Sequence, residues 1–304
     1  MFNMKVYIDG SYGTTGLALK DRLSQIAEYE IVELPYDDRK DLQARINAAN
    51  TADIAVTCLP NEASKEIEPF IKVPLIDTST EFRTNWTYGL AEIGLADEIQ
   101  ASDRIANPGC HATGFIVLVT PLRELGIIKE DTALSCNSIT GYSGGGNKMI
   151  AEYTASDRAD EYKFPRPYAL DLNHKHLPEM VKWADLKHNP NFMPMVADNY
   201  SGMCVSVPVS LKGSKYSAND IVKEYKKFYK YSPLIFVREL NENSGFLNPF
   251  YKEGKDSLDI IVCGNDNEVI LYALFDNLGK GASGSVIQCL NIKAGYEETL
   301  GLNI

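Results

Sequence analysis

Several things are scarce or missing in this chain of 304 residues. Its cysteines, at 58, 110, 136, 204, 263 and 289, include no Cys-x-x-Cys pair, and their spacings fit no zinc pattern. There is no long basic run, and 30 Lys and Arg stand against 41 Asp and Glu, a net charge of −11. That balance argues against nucleic-acid binding, because phosphate contacts need clustered cations. No apolar stretch approaches the roughly 20 residues that a membrane-spanning helix requires. The first ten residues read as a short strand with no basic flank or cleavage site, so no signal peptide is expected. A soluble, cytoplasmic protein is the expectation, with neither nucleic acid nor membrane as partner. Internal repeats, heptads and low-complexity segments are lacking too. Only four histidines are present, at 111, 174, 176 and 188, which narrows the choice of acid–base groups.

What remains is an ordinary globular composition, 44% hydrophobic and 23% charged. The length suggests about two domains and suffices for a large core. Lys5–Asp9, Ile31–Leu34, the near-continuous apolar run 53–59 and Pro74–Asp77 read as strands. Helical segments at 17–28, 41–50 and 61–70 separate them. This β-α-β-α order predicts a Rossmann-type, doubly wound parallel sheet. Beyond a helix at 112–125 the pattern changes. Strands are expected at 133–139, 203–211, 234–237, 259–263 and 269–276, with a helix at 218–229 capped by Ser217 or Asn219 and a last helix at 281–290. Strands outnumber helices there, as in an α+β domain with a largely antiparallel sheet. Loops rich in Gly, Asn and Ser are expected at 141–147, 189–202 and 241–257.

Gly10, Gly13 and Gly16 follow the first strand and open the first helix, in the order Gly10-Ser11-Tyr12-Gly13-Thr14-Thr15-Gly16. Glycines let a backbone approach a pyrophosphate, and a helix N-terminus offers unpaired N–H groups. The spacing is GxxGxxG rather than GxGxxG, and such turns also serve packing alone. After the second strand comes Asp37-Asp38-Arg39-Lys40. Arg39 and Lys40 could pair with a 2′-phosphate and so favour NADP; the acids leave NAD open, and a solvated charged turn reads the same way.

Cys110 stands apart from the other cysteines, most of which lie in apolar runs and read as buried thiols. In Asn107-Pro108-Gly109-Cys110-His111-Ala112-Thr113-Gly114 it falls in the first turn of an apolar helix. A helix N-terminus stabilises a thiolate, and its N–H groups can hold an oxyanion. A thiolate so placed can attack an activated acyl group. The accompanying base is sought in His174-Lys175-His176-Leu177-Pro178-Glu179. Two residues apart, His174 and His176 would share one side of an extended segment, and Glu179 could orient an imidazole. A metal is the rival reading of His-x-His, but no third ligand cluster accompanies it, so none is expected.

These motifs stand beside Asp77-Thr78-Ser79-Thr80…Arg83, Gly141-Tyr142-Ser143-Gly144-Gly145-Gly146 and Asp276-Asn277-Leu278-Gly279-Lys280-Gly281-Ala282-Ser283-Gly284. Together, in order over nearly the whole chain, they resemble the N-acetyl-γ-glutamyl-phosphate reductase family in its shorter form. That family is similar in fold to the aspartate-semialdehyde and glyceraldehyde-phosphate dehydrogenases. The resemblance implies a small acyl-phosphate substrate, attack by Cys110, a thioester, and hydride from NADPH to give the semialdehyde, in arginine biosynthesis. It implies His176 for proton transfer, with His174 and Glu179 supporting. Arg83 would lie near the substrate phosphate, Ser79 and Asn107 would join in binding the substrate, and Tyr142, Ser143 and Gly144 would line its pocket. The cofactor would lie against residues 10–16, Arg39, Lys40, Cys58, Leu59, Pro60, Asn277 and Gly281. Residues 1–109 and 281–304 would form the NADP-binding domain, and 110–280 a catalytic and oligomerisation domain of a homodimer or homotetramer. The rivals are a relative acting on aspartyl phosphate or on carrier-linked aminoadipyl phosphate, and a nucleotide-binding regulator without turnover.

Overall fold

In the computed structural model, which describes residues 3–239 and 245–304, the early apolar runs become parallel strands. The order is β1 (Met4–Asp9), α1 (Thr14–Leu23), β2 (Tyr29–Val32), α2 (Leu42–Thr51), β3 (Ile54–Thr57), α3 (Asn61–Ile67), β4 (Leu75–Asp77), β5 (Thr87–Tyr88), α4 (Ala96–Ala101) and β6 (Arg104–Ala106). Among the described residues these strands form a six-stranded sheet, β2-β1-β3-β4-β6-β5, with every pairing parallel. Successive side chains enter opposite layers, as strand geometry demands. Val6, Ile8, Ile54 and Val56 pack with Leu19 and Leu23 of α1, whereas Tyr7 and Ala55 pack with Ala49 of α2 and Ile67 of α3. β3 is buried along its whole length because both faces are covered.

The second run of elements is α5 (Cys110–Glu124), β7 (Ser135–Gly141), α6 (Gly146–Thr154), β8 (Arg166–Pro167), α7 (Leu177–Trp183), β9 (Asn191–Ala197), β10 (Met203–Ser210), α8 (Ala218–Phe228), β11 (Ile235–Arg238), β12 (Leu258–Gly264) and β13 (Glu268–Phe275). Among the described residues these strands form a seven-stranded sheet, β11-β12-β13-β10-β7-β9-β8. β11–β12 and β7–β9 pair parallel and the other neighbours antiparallel. On β10, Val205, Val207 and Val209 are buried, and Ser206, Pro208 and Ser210 are more open. One face of this sheet therefore carries the core, under α5. The last helix, α9 (Gly284–Ala294), follows a π-helical turn at Gly279–Ser283.

The chain divides into two compact units: residues up to Gly109 with Ala282–Leu302, and Cys110–Gly281 with Asn303–Ile304. In the first, α9 packs on α1 and α4, and Asn291 accepts a hydrogen bond from the Tyr29 hydroxyl at 2.7 Å.

Several element bounds differ from the sequence reading. The expected loop 189–202 contains β9, disguised by Pro194, which argues against an interior strand. Its neighbour β8 is only two residues long and pairs with Met195 and Val196, so Pro194 stands where that neighbour has ended. The glycine run at 144–146 leads directly into α6. α8 takes Ser217 as its cap, in a reciprocal box with Asp220, and not Asn219. α9 starts later than expected because the π turn occupies its expected first residues. Met1, Phe2 and residues 241–244 of the expected last loop lie outside the described residues.

The end of β1 is fixed by a buried ion pair. Arg45 on α2 donates two-pronged to Asp9, at 3.1 and 2.9 Å, with both side chains buried. Removing one partner would strand a charge in the core, which costs about 3–5 kcal/mol. Arg45→Met is expected to lower the free energy of urea unfolding by about 3 kcal/mol. An unchanged urea midpoint would show that the pair does not anchor α2 to β1.

Candidate active site

In the first unit the glycine turn opens a cavity of about 170 Å³. Gly10 has φ +81°, and a Cβ there would lie 2.4 Å from the Cys58 carbonyl oxygen. A Cβ on Gly16 would lie 2.3 Å from the Gly10 oxygen, so this glycine brings α1 down on the turn. Gly13 caps α1, and Thr14, Thr15 and Gly16 form its first turn. Gly10, Ser11, Tyr12, Arg39 and Leu59 line the cavity, together with Lys20 and Glu33, which sequence reasoning missed. Lys40, Cys58 and Pro60 are not among its lining residues. Burial pushes the Cys58 thiol up to about 12, and Pro60 is the cap residue of α3.

Ser79, Arg83 and Asn107 also belong to the first unit, and all three are buried. Asp77 organises the turn that follows β4. It accepts from the Ser79 N–H at 2.9 Å and from Thr57 Oγ1 at 2.7 Å. The Ser79 hydroxyl also donates to Asp77, so it works within the turn. Arg83 Nη2 donates to the Thr78 carbonyl at 3.0 Å. Asn107 donates to the Ala282 carbonyl at 3.3 Å, and its buried Oδ1 has no hydrogen-bond partner among the described residues.

In the second unit Cys110 is the first residue of α5, half-buried. Burial drives up the thiols of Cys136, Cys204 and Cys263. Next to Cys110, His111 turns inward, a role that sequence reasoning did not assign it. Its Nδ1 lies 2.7 Å from Ser138 Oγ and its Nε2 2.8 Å from the Tyr168 hydroxyl. Burial, with His174 and Lys175 nearby, lowers its pKa to about 3. Tyr168, missed as well, is held above the ordinary phenol range by burial and by the Cys110 charge. The only available clue was adjacency: a histidine following a helix-start cysteine can point into the same core. His188 is exposed.

His174 and His176 are buried in the turn before α7, not in an extended segment, yet their rings do meet, edge to face at 4.7 Å. Both also pack on His111, at 5.3 and 5.5 Å between centroids. The His176 backbone N–H donates to His174 Nδ1 at 3.1 Å. That nitrogen is therefore an acceptor, and the His174 proton sits on Nε2. Glu179 Oε1 lies 4.0 Å from His176 Nε2, beyond hydrogen-bond reach. Among the described residues no group of three ligating side chains is arranged to hold a metal ion.

A turn after β13 completes this side. Asp276, buried, accepts from the N–H groups of Leu278 at 2.6 Å and Gly279 at 3.1 Å and from the Ser201 hydroxyl at 2.9 Å. This fixes Asn277, which donates to Ser143 Oγ at 3.0 Å while its own buried Oδ1 has no hydrogen-bond partner among the described residues. Gly281 follows, and a Cβ there would lie 2.7 Å from the Cys110 Cβ. Tyr142 and Ser143 are held by N–H donation to Asn199 and Tyr200, and Gly144 lies close to Asn277.

A helix-start cysteine beside a histidine cluster, in a chain that also carries a dinucleotide-type sheet, defines a cysteine-dependent dehydrogenase class. Comparisons agree on the fold. Aspartate semialdehyde dehydrogenase II of Vibrio cholerae superposes with a TM-score of 0.74 at 15% identity, covering 97% of this chain and 99% of that one. The Candida albicans aspartate semialdehyde dehydrogenase solved with NADP gives 0.65 at 13% identity, covering 95% and 98%. The family described as "Semialdehyde dehydrogenase, dimerisation domain" matches residues 110–277. N-acetyl-gamma-glutamyl-phosphate reductase of Rhizobium etli is 38% identical over 95% of this chain and 98% of its own length. N-acetyl-gamma-glutamyl-phosphate reductase 2 of Nostoc sp. is 35% identical over 98% and 99%. The chain belongs to the N-acetyl-γ-glutamyl-phosphate reductase family, within the semialdehyde dehydrogenase fold.

Gly281→Ala is expected to displace Cys110 and slow its alkylation by iodoacetamide about tenfold or more, with the circular dichroism spectrum retained. An unaltered alkylation rate would mean that the approach of Gly281 does not position the thiol. His111 predicts a pH effect. Its native pKa lies below its unfolded value of 6.5, so the unfolded state binds more protons and stability rises with pH. The contribution is complete above about pH 6.5 and declines, by up to about 1.4 kcal/mol per pH unit, as pH falls toward 3. Urea midpoints at pH 7, 6 and 5 should fall more steeply for the wild type than for His111→Asn. Parallel lines would contradict a neutral, buried imidazole.

Proposed function

We propose that the chain reduces N-acetyl-γ-glutamyl phosphate to N-acetyl-glutamate 5-semialdehyde and phosphate with NADPH, in arginine biosynthesis in the cytoplasm. The observation that carries this reading is Cys110 at the start of α5, with the Gly281 backbone against it and a buried histidine pair in the same unit. Two features fit the cofactor. The glycine turn and the first turn of α1 suit a pyrophosphate. In the second unit, the unpartnered Asn277 Oδ1 suits a carboxamide N–H₂ such as nicotinamide carries.

When bound, NADPH supplies the hydride. Everything else falls to the chain. The Cys110 thiolate, favoured by the helix N-terminus, attacks the acyl carbon; the carbon–oxygen bond to phosphate breaks, and a thioester remains. Backbone N–H groups at the start of α5 stabilise the oxyanion that forms at the acyl oxygen. His176 takes the thiol proton to form that thiolate and returns it to the sulfur when the carbon–sulfur bond breaks and the semialdehyde leaves, with Glu179 4.0 Å from its Nε2. His174, with Nδ1 already accepting, can donate only from Nε2 and is assigned to holding the substrate. Arg83, with a guanidinium suited to two oxygens, and Asn107 are proposed for phosphate, with Ser79 shaping their turn. Tyr142, Ser143 and Gly144 are proposed to line the acyl pocket.

Oligomerisation is part of this reading. The seven-stranded sheet leaves the face away from α5 partly open. Ile270 and Met193 are exposed there, and Ile139, Tyr272 and Cys263 are half-buried. A homodimer or homotetramer formed through this face would cover them.

The test is the reverse reaction: N-acetyl-glutamate semialdehyde, phosphate and NADP, followed by absorbance of the reduced nicotinamide. Phosphate-dependent turnover that aspartate semialdehyde does not give supports the substrate assignment; the opposite preference would overturn it. Cys110→Ser should abolish turnover and keep NADPH binding. His176→Asn should lower the rate about a hundredfold or more. A larger loss in His174→Asn than in His176→Asn would move the proton-transfer role to His174.

A further inference from the structure

β2 ends at Val32, and the next residue is Glu33. In dinucleotide-binding sheets an acid near the end of this strand accepts from the ribose 2′-hydroxyl, which selects NAD and repels a 2′-phosphate. Glu33 lines the cavity under the glycine turn, where such an acid would act. Its carboxylate, however, is engaged: Lys20, reaching from α1, lies 2.6 Å away. Lys20 lines the same cavity. So does Arg39, whose guanidinium lies 3.5 Å from the centroid of the Tyr36 ring and donates to the Tyr36 carbonyl at 2.6 Å. The other acid of the lining, Asp9, is bound to Arg45. Apart from the Asp9–Arg45 pair, two cations and one acid therefore line the cavity, and that acid is already paired with one of the two. The balance suits a dianion better than a neutral hydroxyl.

We propose that Lys20 is the specificity-determining residue of this cavity. By pairing with Glu33 it turns the position of a ribose-binding acid into part of a 2′-phosphate site shared with Arg39. Lys40, at the neighbouring position, takes no part in this site. The inference rests on the reading that the cavity holds the adenosine end of the nucleotide. It adds that the preference is set by masking an acid, not by lacking one.

Calorimetric titration of the full chain with NADP and with NAD tests this without turnover. Lys20 and Glu33 are partly exposed, and such a pair adds little to stability, so the variants should fold. In Lys20→Met the Kd for NADP should rise at least tenfold, since the phosphate loses a cation and meets an unmasked acid. The Kd for NAD should fall about threefold, because Glu33 becomes free to accept from the 2′-hydroxyl. Adding Glu33→Gln to Lys20→Met should restore part of the NADP affinity and erase the gain for NAD. Arg39→Met should weaken NADP alone. If Lys20→Met shifts both nucleotides equally or neither, while Arg39→Met weakens NADP, the role of Lys20 is overturned and the cavity assignment stands. If neither variant alters NADP binding to a protein that binds it, the cavity is not the 2′-phosphate site, and the proposal falls with that assignment.

Discussion

The approach of α5 to its sheet governs the geometry of the second unit. A Cβ on Gly114 would lie 2.6 Å from Val205 Cγ2 and 2.9 Å from Phe275 Cε1, so only glycine lets the helix lie this close to β10 and β13. α5 is almost wholly buried, which a helix so apolar tolerates only when covered on all sides. α8 adds to that cover and is tied to it by hydrogen bonds from Tyr225 and Tyr229 to carbonyls of α5. The same contact sets both partners of the proposed reactive centre. Cys110 begins the helix, and β13, against which the helix rests, runs into the Asp276–Gly281 turn that closes on Cys110. Enlarging either glycine, 114 or 281, would press on one end of this arrangement. The position of the thiol is thus a packing result before it is an electrostatic one.

Much of this was legible in the sequence, for identifiable reasons. The strand-turn-helix opening, the buried parallel strand β3 and the helix start at Cys110 each rest on local signals: apolar runs, glycine spacing and a proline–glycine turn. What was hidden depended on distant partners. Strand β9 contains a proline that local rules penalise, and it is a strand because β7 pairs with it from some fifty residues away. Nothing in the sequence set His111 apart from an ordinary surface or core histidine. Its place becomes apparent only when Ser138 and Tyr168, from two other segments, supply its hydrogen bonds. The charged turn after β2 drew attention to Arg39 and Lys40 alike, but only Arg39 lines the cavity, and Lys20 and Glu33 join it from elements that the motif does not include. Residue type marked the chemistry, and tertiary pairing selected among candidates of the same type.

The glycine turn of the first unit shows the same division of labour. Gly10 serves backbone conformation, through its positive φ and its approach to the end of β3. Gly16 serves packing of α1 on the turn. Neither contributes a functional group, yet together they keep side chains out of the space where a phosphate chain would lie. The Asp9–Arg45 pair holds the strand end from which the turn departs. Because its charges are mutually satisfied in a buried setting, it leaves little field in the cavity, and the sign of that cavity is set by Lys20, Glu33 and Arg39.

The histidine cluster sorts its own members by hydrogen bonding. His111 is kept neutral by burial between two hydroxyls, so it cannot store a proton in the range where an enzyme works. His174 cannot accept one at Nδ1 without breaking its bond to the His176 backbone N–H, and its Nε2 already carries a hydrogen. His176 is the remaining imidazole of the three, with the buried Glu179 carboxylate 4.0 Å from its Nε2. On the proposed reading, a cluster of three similar rings divides into a scaffold, a donor and a proton carrier. The division follows from where one backbone N–H and two hydroxyls point, which is why His-x-His spacing alone could not assign the roles.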